Sequence, residues 1–562
     1  MFQLHAVDLF IIIFYFAFVL GVGFYLKNFT KSGEDFFMAG RNQTAWIAGI
    51  SFIAANMGAL ELMGWSSATY QYGMLAVHWY WIGAIPAILF LGIFMMPFYH
   101  VSKTHSVPGY LQLRFGEGSR ALAGVTFVVM TVLASGINMY SMGLVLEDFF
   151  GWDFDTSIWI TAMTVAAYVT MAGLTSAIFN EIVQFFLIWA GCLLIPILGL
   201  IEIGGWDKLV ELVNRQSAAL APAGAPVLDR MHIWSTMATP EANPMGMHWL
   251  GIVFGLCFVL SMGYWTTDYL VVQRVLTTKD IRSAKTAPII GSFFKMAIPF
   301  IVILPGLIGF AVIPGLLPES PDISATQSYN AVLPLMMKRY FAPGMIGLGV
   351  IALIAGFMSG MAGNVSAFAT VWTYDIYRSY INKNASDSHY LKLGRISTVL
   401  GVLVSIATTY IVKRFSSIMD YMQALFSFFI APLFATVLLG MFWKRTTAKA
   451  GFWGLLLGMC TSVGIFFGVR AEILDPRIVA FSANPSTMAI NMWQAAWAFT
   501  VNLIATVVIT FFTRPKPDSE LVGLVYGVSA VPHEGPSPWY RRPAMWAWLS
   551  FAIFLVLNII FW

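Results

Sequence analysis

The chain reads as an all-α polytopic membrane protein, and three observations carry that reading. Apolar residues make up 59% of its 562 residues and charged residues only 10%, against about 25% charged in an average soluble domain. Mean hydropathy is +0.76, so the chain cannot cover itself with a water-facing surface. Finally, its apolar residues gather into runs of about 20, the length a helix needs to cross a hydrocarbon core.

Taken in order, fourteen such runs cover about 7–26, 44–64, 75–99, 121–147, 156–173, 176–202, 248–272, 286–314, 344–372, 394–412, 417–443, 450–469, 490–513 and 543–562. The first has no basic segment before it and no A-x-A site after it, so it is expected to be a retained helix and not a cleaved signal. With the N-terminus outside, the inside loops hold 21 of the 31 basic residues and the outside loops nine, Lys295 lying within a span. The cation bias sets orientation, and both termini outside is the consistent topology. The expected location is the plasma (cell inner) membrane.

Two runs contain residues that a lipid-facing helix cannot carry cheaply. Residues 49–64 include Asn56, Gly58 and Glu61; residues 261–269 include Gly263, Thr266, Thr267 and Asp268. These are the second and seventh runs, five apart. Interrupted segments at matching positions in two halves point to a transporter made of two inverted five-helix repeats. The expected organisation is a first helix and inside loop over 1–43, one repeat over 44–202, a long outside loop over 203–247, a second repeat over 248–443, and three further helices over 444–562. Broken backbone at membrane depth survives only where it lines a cavity, so the two breaks should mark the binding site.

Against that frame stand several short motifs: Asp35-Phe-Phe-Met-Ala-Gly-Arg41, Ala54-Ala-Asn56, Gln273-Arg274, Phe294-Lys295, Ile303-Leu-Pro-Gly306, Thr373-Tyr-Asp375-Ile-Tyr377 and Phe442-Trp-Lys-Arg-Thr-Thr447. In their order and spacing the chain resembles the sodium/solute symporter family, in its sodium–glucose cotransporter branch with the bacterial sodium/galactose symporters. The resemblance covers about 7–470 and implies sodium-coupled uptake of a small organic solute. A sugar or sugar-like compound comes first, with a carboxylate, amino acid or amine as the alternative. It implies no cofactor, sodium being a co-transported ligand.

A sodium ion needs about five hard oxygen ligands, and an unwound stretch frees carbonyls to supply them. Matching the family motif puts the carbonyls of Ala54 and Met57 opposite the carbonyl of Gly356 and the hydroxyl of Ser359. Gly356 and Ser359 are three apart, on one helix face. The family's second hydroxyl residue is Gly360 here, and small packing residues would leave the same pattern.

The substrate pocket departs further. Glu61 stands where the galactose-transporting relatives have an amide and Tyr80 where they have a carboxylate. Gly83 and Ser261 replace polar residues, Lys295 and Gln423 are retained, and Asp420 replaces an amide one turn before Gln423. Tyr264, next to Trp265, matches the family's inner-gate aromatic, with Asn56 placed to hydrogen-bond it. Glu181 matches an acid linked to cation coupling, with a plain interfacial carboxylate as the other reading. Intramembrane acids are usually functional. Even so, Glu61 has two possible roles: accepting bonds from a ligand, or pairing with Lys295. Asp268 is equally open.

Other classes have less support. There is no basic run for nucleic acid, no nucleophile–base pair or metal set for an enzyme, and Cys192, Cys257 and Cys460 lie in apolar stretches without metal-ligand spacing. Two rivals remain on the same fold: a transport-inactive solute sensor, kept alive by Gly360, and a proton- or cation-independent carrier.

Overall fold

The computed structural model describes every residue except 1–4, 28–31, 319–326, 416, 529–534 and 536; Lys31, among the inside cations, lies outside that set. Among the described residues the chain is helical, with only two isolated β-bridges, Gln43 to Thr278 and Leu317 to Ser328. Among the described residues, eleven helices are long and apolar enough to cross a membrane, from Ala6–Leu26 to Pro543–Ile560.

That number differs from fourteen for a physical reason. The runs at 44–64 and 248–272 are broken, leaving the shorter apolar helices Ala45–Ala54 and Gly251–Thr267. The run at 156–173 is one arm of the element Phe154–Cys192, which breaks at Gly173 with φ 58° and ψ −142°. A side chain at Gly173 would meet the carbonyl of Phe36 at 2.5 Å, so glycine is required there both for the backbone turn and for the close approach.

The break in the second run falls after Ala54, and helix resumes over Ala59–Tyr72 behind Gly58, which is extended at φ −72° and ψ 173°. In the seventh run, where the interruption was expected within 261–269, helix continues through Gly263. The break is at Asp268 (φ −71°, ψ 117°), whose carboxylate caps the next helix, Tyr269–Leu276, by accepting from the Leu270 N–H at 2.9 Å. Asp268 is therefore a helix cap, the role its short acceptor side chain favours. Gly263 serves packing instead: a Cβ there would lie 2.7 Å from Ile430.

Short capping motifs set several helix starts. Ser32 and Asp35 form a reciprocal box in which the Asp35 N–H donates to the Ser32 hydroxyl at 3.1 Å and the Ser32 N–H to the Asp35 carboxylate at 3.0 Å. Thr44 caps Ala45–Ala54 by accepting from the Ile47 N–H, and Ser417 caps Ile418–Phe442 by accepting from the Asp420 N–H. The two broken spans are held together below the cavity by a buried ionic cluster. Arg274 donates to Glu181 at 2.5 Å, and the Ser51 hydroxyl reaches the other Glu181 oxygen, also at 2.5 Å.

Candidate functional site

The two breaks face one another across a central cavity enclosing about 780 Å³ between the atoms. Glu61 enters it from the first turn of Ala59–Tyr72 and Lys295 from the last turn of Ile281–Ala297. Each charge thus sits at the helix end whose dipole favours it. The Lys295 ammonium donates to Glu61 Oε1 and to Asn56 Oδ1, both at 2.5 Å. Glu61 Oε2 accepts from Trp65 Nε1 at 3.0 Å, and the ammonium lies 4.5 Å from the Tyr80 ring centre and 5.1 Å from that of Trp265. Of the two roles open to Glu61, pairing with Lys295 is the one present without a ligand, and the pair still forms part of the cavity wall.

Tyr264 lies on the cavity wall. Its hydroxyl oxygen accepts from Asn56 Nδ2 at 2.7 Å, and its ring packs at 4.9 Å on Phe426 and 5.2 Å on Trp265. One side chain from each broken helix therefore meets at this point, with Asn56 also tied to Lys295. Ser261 and Gln423 complete the expected wall. Gln423 is buried, and its carboxamide oxygen has no hydrogen-bond partner among the described residues; the same is true of Trp79 Nε1. The place of Gly83 is explained by space: a side chain there would meet the Ser261 hydroxyl at 2.5 Å.

Asp420 is the exception and corrects the sequence reading. The cavity face of its helix is Met419, Met422, Gln423 and Phe426, spaced as one helical stripe. Asp420, one residue on from Met419, is rotated away from that stripe. It is fully buried, and its carbonyl accepts from Asn491 Nδ2 at 2.8 Å. Glu181 also lies apart from the cavity. With 0% exposure and Arg274 as its partner, it is a buried ion-pair member and not an interfacial carboxylate.

Behind the cavity the four expected ion-binding positions converge. The Ser359 hydroxyl donates to the Ala54 carbonyl at 2.8 Å, and a Cβ at Gly356 would lie 3.2 Å from the Met57 carbonyl oxygen. Across the break the backbone thus offers oxygens to the helix Met345–Val371. Gly360, by contrast, has no room for a hydroxyl-bearing side chain. Its Cβ would approach the Gly58 Cα to 2.9 Å and Asn138 Oδ1 to 3.1 Å.

Asn138 was not singled out from the sequence. Its Oδ1 accepts from the Leu60 N–H at 3.3 Å, satisfying an otherwise orphaned donor in the first turn after the break. Trp65, Trp79, Asn364 and Phe426 are further wall residues that sequence reasoning missed. Trp65 was within reach, lying four residues after Glu61 on one helix face. The amides of Asn138 and Asn364, being intramembrane polar groups, carried a signal too.

A model of the sodium:solute symporter family matches residues 36–458. The chain belongs to this family. Among its relatives, a sodium/glucose cotransporter of Vibrio parahaemolyticus is 27% identical over 470 residues, 81% of this chain and 84% of the relative. A mouse sodium/glucose cotransporter 4 is 27% identical over 545 residues, 93% of this chain and 78% of the relative. The solved structure of a Na+-coupled sialic acid symporter in a substrate-bound outward-open state superposes with a TM-score of 0.73 at 21% identity. It covers 91% of this chain and 98% of that one. This likeness concerns the fold: an all-α, polytopic transporter core.

Proposed function

We propose that the chain is a sodium-coupled secondary active symporter that imports a small, neutral, polyhydroxylated solute, a sugar or sugar-like compound, by alternating access. The observation that carries the solute class is the charge state of the cavity. Glu61 and Lys295 neutralise each other at 2.5 Å, while the unpartnered buried groups on the wall, Gln423 Oε1 and Trp79 Nε1, are neutral. A buried polar group without a partner costs about 1–3 kcal/mol, which a ligand hydroxyl would recover. The rings of Trp65, Trp79, Tyr80, Tyr264, Trp265 and Phe426 give the flat apolar surfaces that a pyranose face requires.

Sodium would be held by the carbonyls of Ala54, Met57 and Gly356 and the hydroxyl of Ser359, coupling the broken helix to Met345–Val371. Tyr264 and Asn56 would act as the gate. Through Arg274 and Ser51, Glu181 would link both broken spans to the ion site. The loop-cation bias of 21 among 31 basic residues supports both termini outside, in the plasma (cell inner) membrane.

A zwitterion such as an amino acid is the second reading, favoured by the same pair: opposite charges side by side could part to receive an amine and a carboxylate. Thermal-shift measurements on purified protein separate the two, using hexoses, polyols, carboxylates, amino acids and amines in sodium or potassium. A solute at a hundred times its Kd adds about 2.7 kcal/mol. Stabilisation by a hexose or polyol in sodium only is the expected result. Stabilisation by amino acids alone selects the second reading, and indifference to every solute and to sodium contradicts both.

A further inference from the structure

Far from the central cavity, a second groove opens at the cation-rich face, where Ala45–Ala54, Ile281–Ala297 and Pro543–Ile560 come together. It encloses about 1180 Å³, open to its surroundings. The last of these helices is docked on the second by a hydrogen bond between the hydroxyls of Ser292 and Ser550, 2.7 Å apart. The rings of Phe293 and Trp546 also meet there, 6.3 Å apart. The body of the groove is apolar, with Ile289, Ile290 and Phe293 on its floor.

Its rim is different. Arg282 and Arg541 stand on it, and among the described residues neither makes an ion pair with a carboxylate. Arg282 Nη2 donates to the Gly535 carbonyl at 2.8 Å, while its buried Nε has no hydrogen-bond partner among the described residues. Arg541 packs against the Tyr540 ring, at 5.8 Å. The nearby carboxylate of Asp280 is already engaged, accepting from the Ser283 N–H at 2.8 Å and from the Ser283 hydroxyl at 3.0 Å. All three helices begin at this rim, so their positive dipole ends add to the two guanidiniums. Trp46 and Trp546 are 63% and 40% exposed beside the groove, as tryptophans are at a membrane–water interface.

We propose that this groove binds an anionic phospholipid of the cytoplasmic leaflet, its phosphate between Arg282 and Arg541 and an acyl chain along Ile290 and Phe293. The chemistry is specific to that occupant. A zwitterionic lipid brings a cation toward two guanidiniums, and a free phosphate ion gains nothing from the apolar floor. Basic pockets between membrane helices on the cytoplasmic side recognise anionic headgroups on this principle.

The test is native mass spectrometry of the purified full-length protein titrated with phosphatidylglycerol or phosphatidylcholine. Phosphatidylglycerol should be retained and phosphatidylcholine lost. The Arg282→Gln/Arg541→Gln double variant should bind phosphatidylglycerol about thirty-fold more weakly, the effect of two surface cations. Arg477→Gln, which removes an exposed cation elsewhere, should match the wild type. Should the double variant fail to fold, Arg541→Gln alone is expected to weaken binding about five-fold, because that side chain is exposed and structurally dispensable. Equal retention of the two lipids would overturn the proposal. So would unchanged affinity in the folded arginine variants, or displacement of phosphatidylglycerol by an equimolar amount of inorganic phosphate.

Discussion

Replacing Glu61 by Gln removes one charge from a pair that is almost closed to water, the two side chains being 9% and 3% exposed. Breaking a buried pair by deleting one partner costs about 3–5 kcal/mol, because the remaining ion has lost both water and its counter-charge. Here part of that loss is offset. Lys295 keeps its bond to Asn56 Oδ1 and its two aromatic faces, each face contributing about 0.5–2 kcal/mol. A Gln side chain could still accept from the ammonium. The expected cost is therefore about 2 kcal/mol of stability without ligand at neutral pH. Solute binding should also weaken, because the amine that helps shape the cavity is no longer fixed. The assay is thermal unfolding of purified protein, with Glu61→Gln compared against Glu61→Gln/Lys295→Met. The double variant should recover most of the lost stability, since it buries no unpaired charge. A single variant as stable as the wild type, with no gain in the double, would refute this account of the pair.

Four further outcomes are expected. Ser359→Ala should remove the extra stabilisation that sodium gives over potassium, since it deletes the one side-chain oxygen of the ion site; a retained sodium preference would place the ion elsewhere. Tyr264→Phe keeps the ring against Phe426 and should preserve much of transport, whereas Tyr264→Ala should bind poorly or leak; transport assays showing all three proteins equal would move the gate. Gly360→Ser should lower thermal stability by about 1–3 kcal/mol, as overpacking against the Gly58 backbone and Asn138 requires, and no loss would mean the site relaxes freely. Burial, reinforced by the Arg41 cation, pushes the His105 pKa from its ordinary 6.5 down to about 4. The folded protein thus resists protonation there. His105 costs no stability above about pH 6.5, and stability drains away as pH falls from there toward 4. His105→Asn should flatten this part of the unfolding profile, and an unchanged profile would assign the acid sensitivity to other groups.

Much of the site was legible because membrane burial makes polar residues informative. Asn56, Glu61 and Lys295 stood out as costly groups in apolar runs, Tyr264 came from the family resemblance, and all four meet at one cavity. The second run's break was legible from Asn56 and Gly58. The seventh was legible as the stretch 261–269 but not to the residue, because a glycine reads the same whether it bends a helix or admits a neighbour. Only the contact with Ile430 shows that Gly263 does the latter. Asp420 failed for a related reason. One residue of helical rotation separates the cavity face from the face toward Asn491, and an apolar run gives no phase to distinguish them. Asn138 carried only the general signal of an intramembrane amide, because its partner, the Leu60 N–H, exists only once the break leaves a donor unsatisfied. The span count was blurred by broken helices, which leave pieces such as Ala45–Ala54 and Gly251–Thr267 too short to cross a membrane alone.

The central claim, sodium-driven uptake of a neutral polyhydroxylated solute, is tested most directly in proteoliposomes containing the purified protein. The measurement is entry of a labelled hexose or polyol, chosen by thermal shift, under an inward sodium gradient or an equal potassium gradient. Concentrative uptake with sodium, absent with potassium and abolished by Ser359→Ala, is the predicted result. Uptake of the same rate and extent in either gradient, or no uptake of a solute that demonstrably binds, would contradict it.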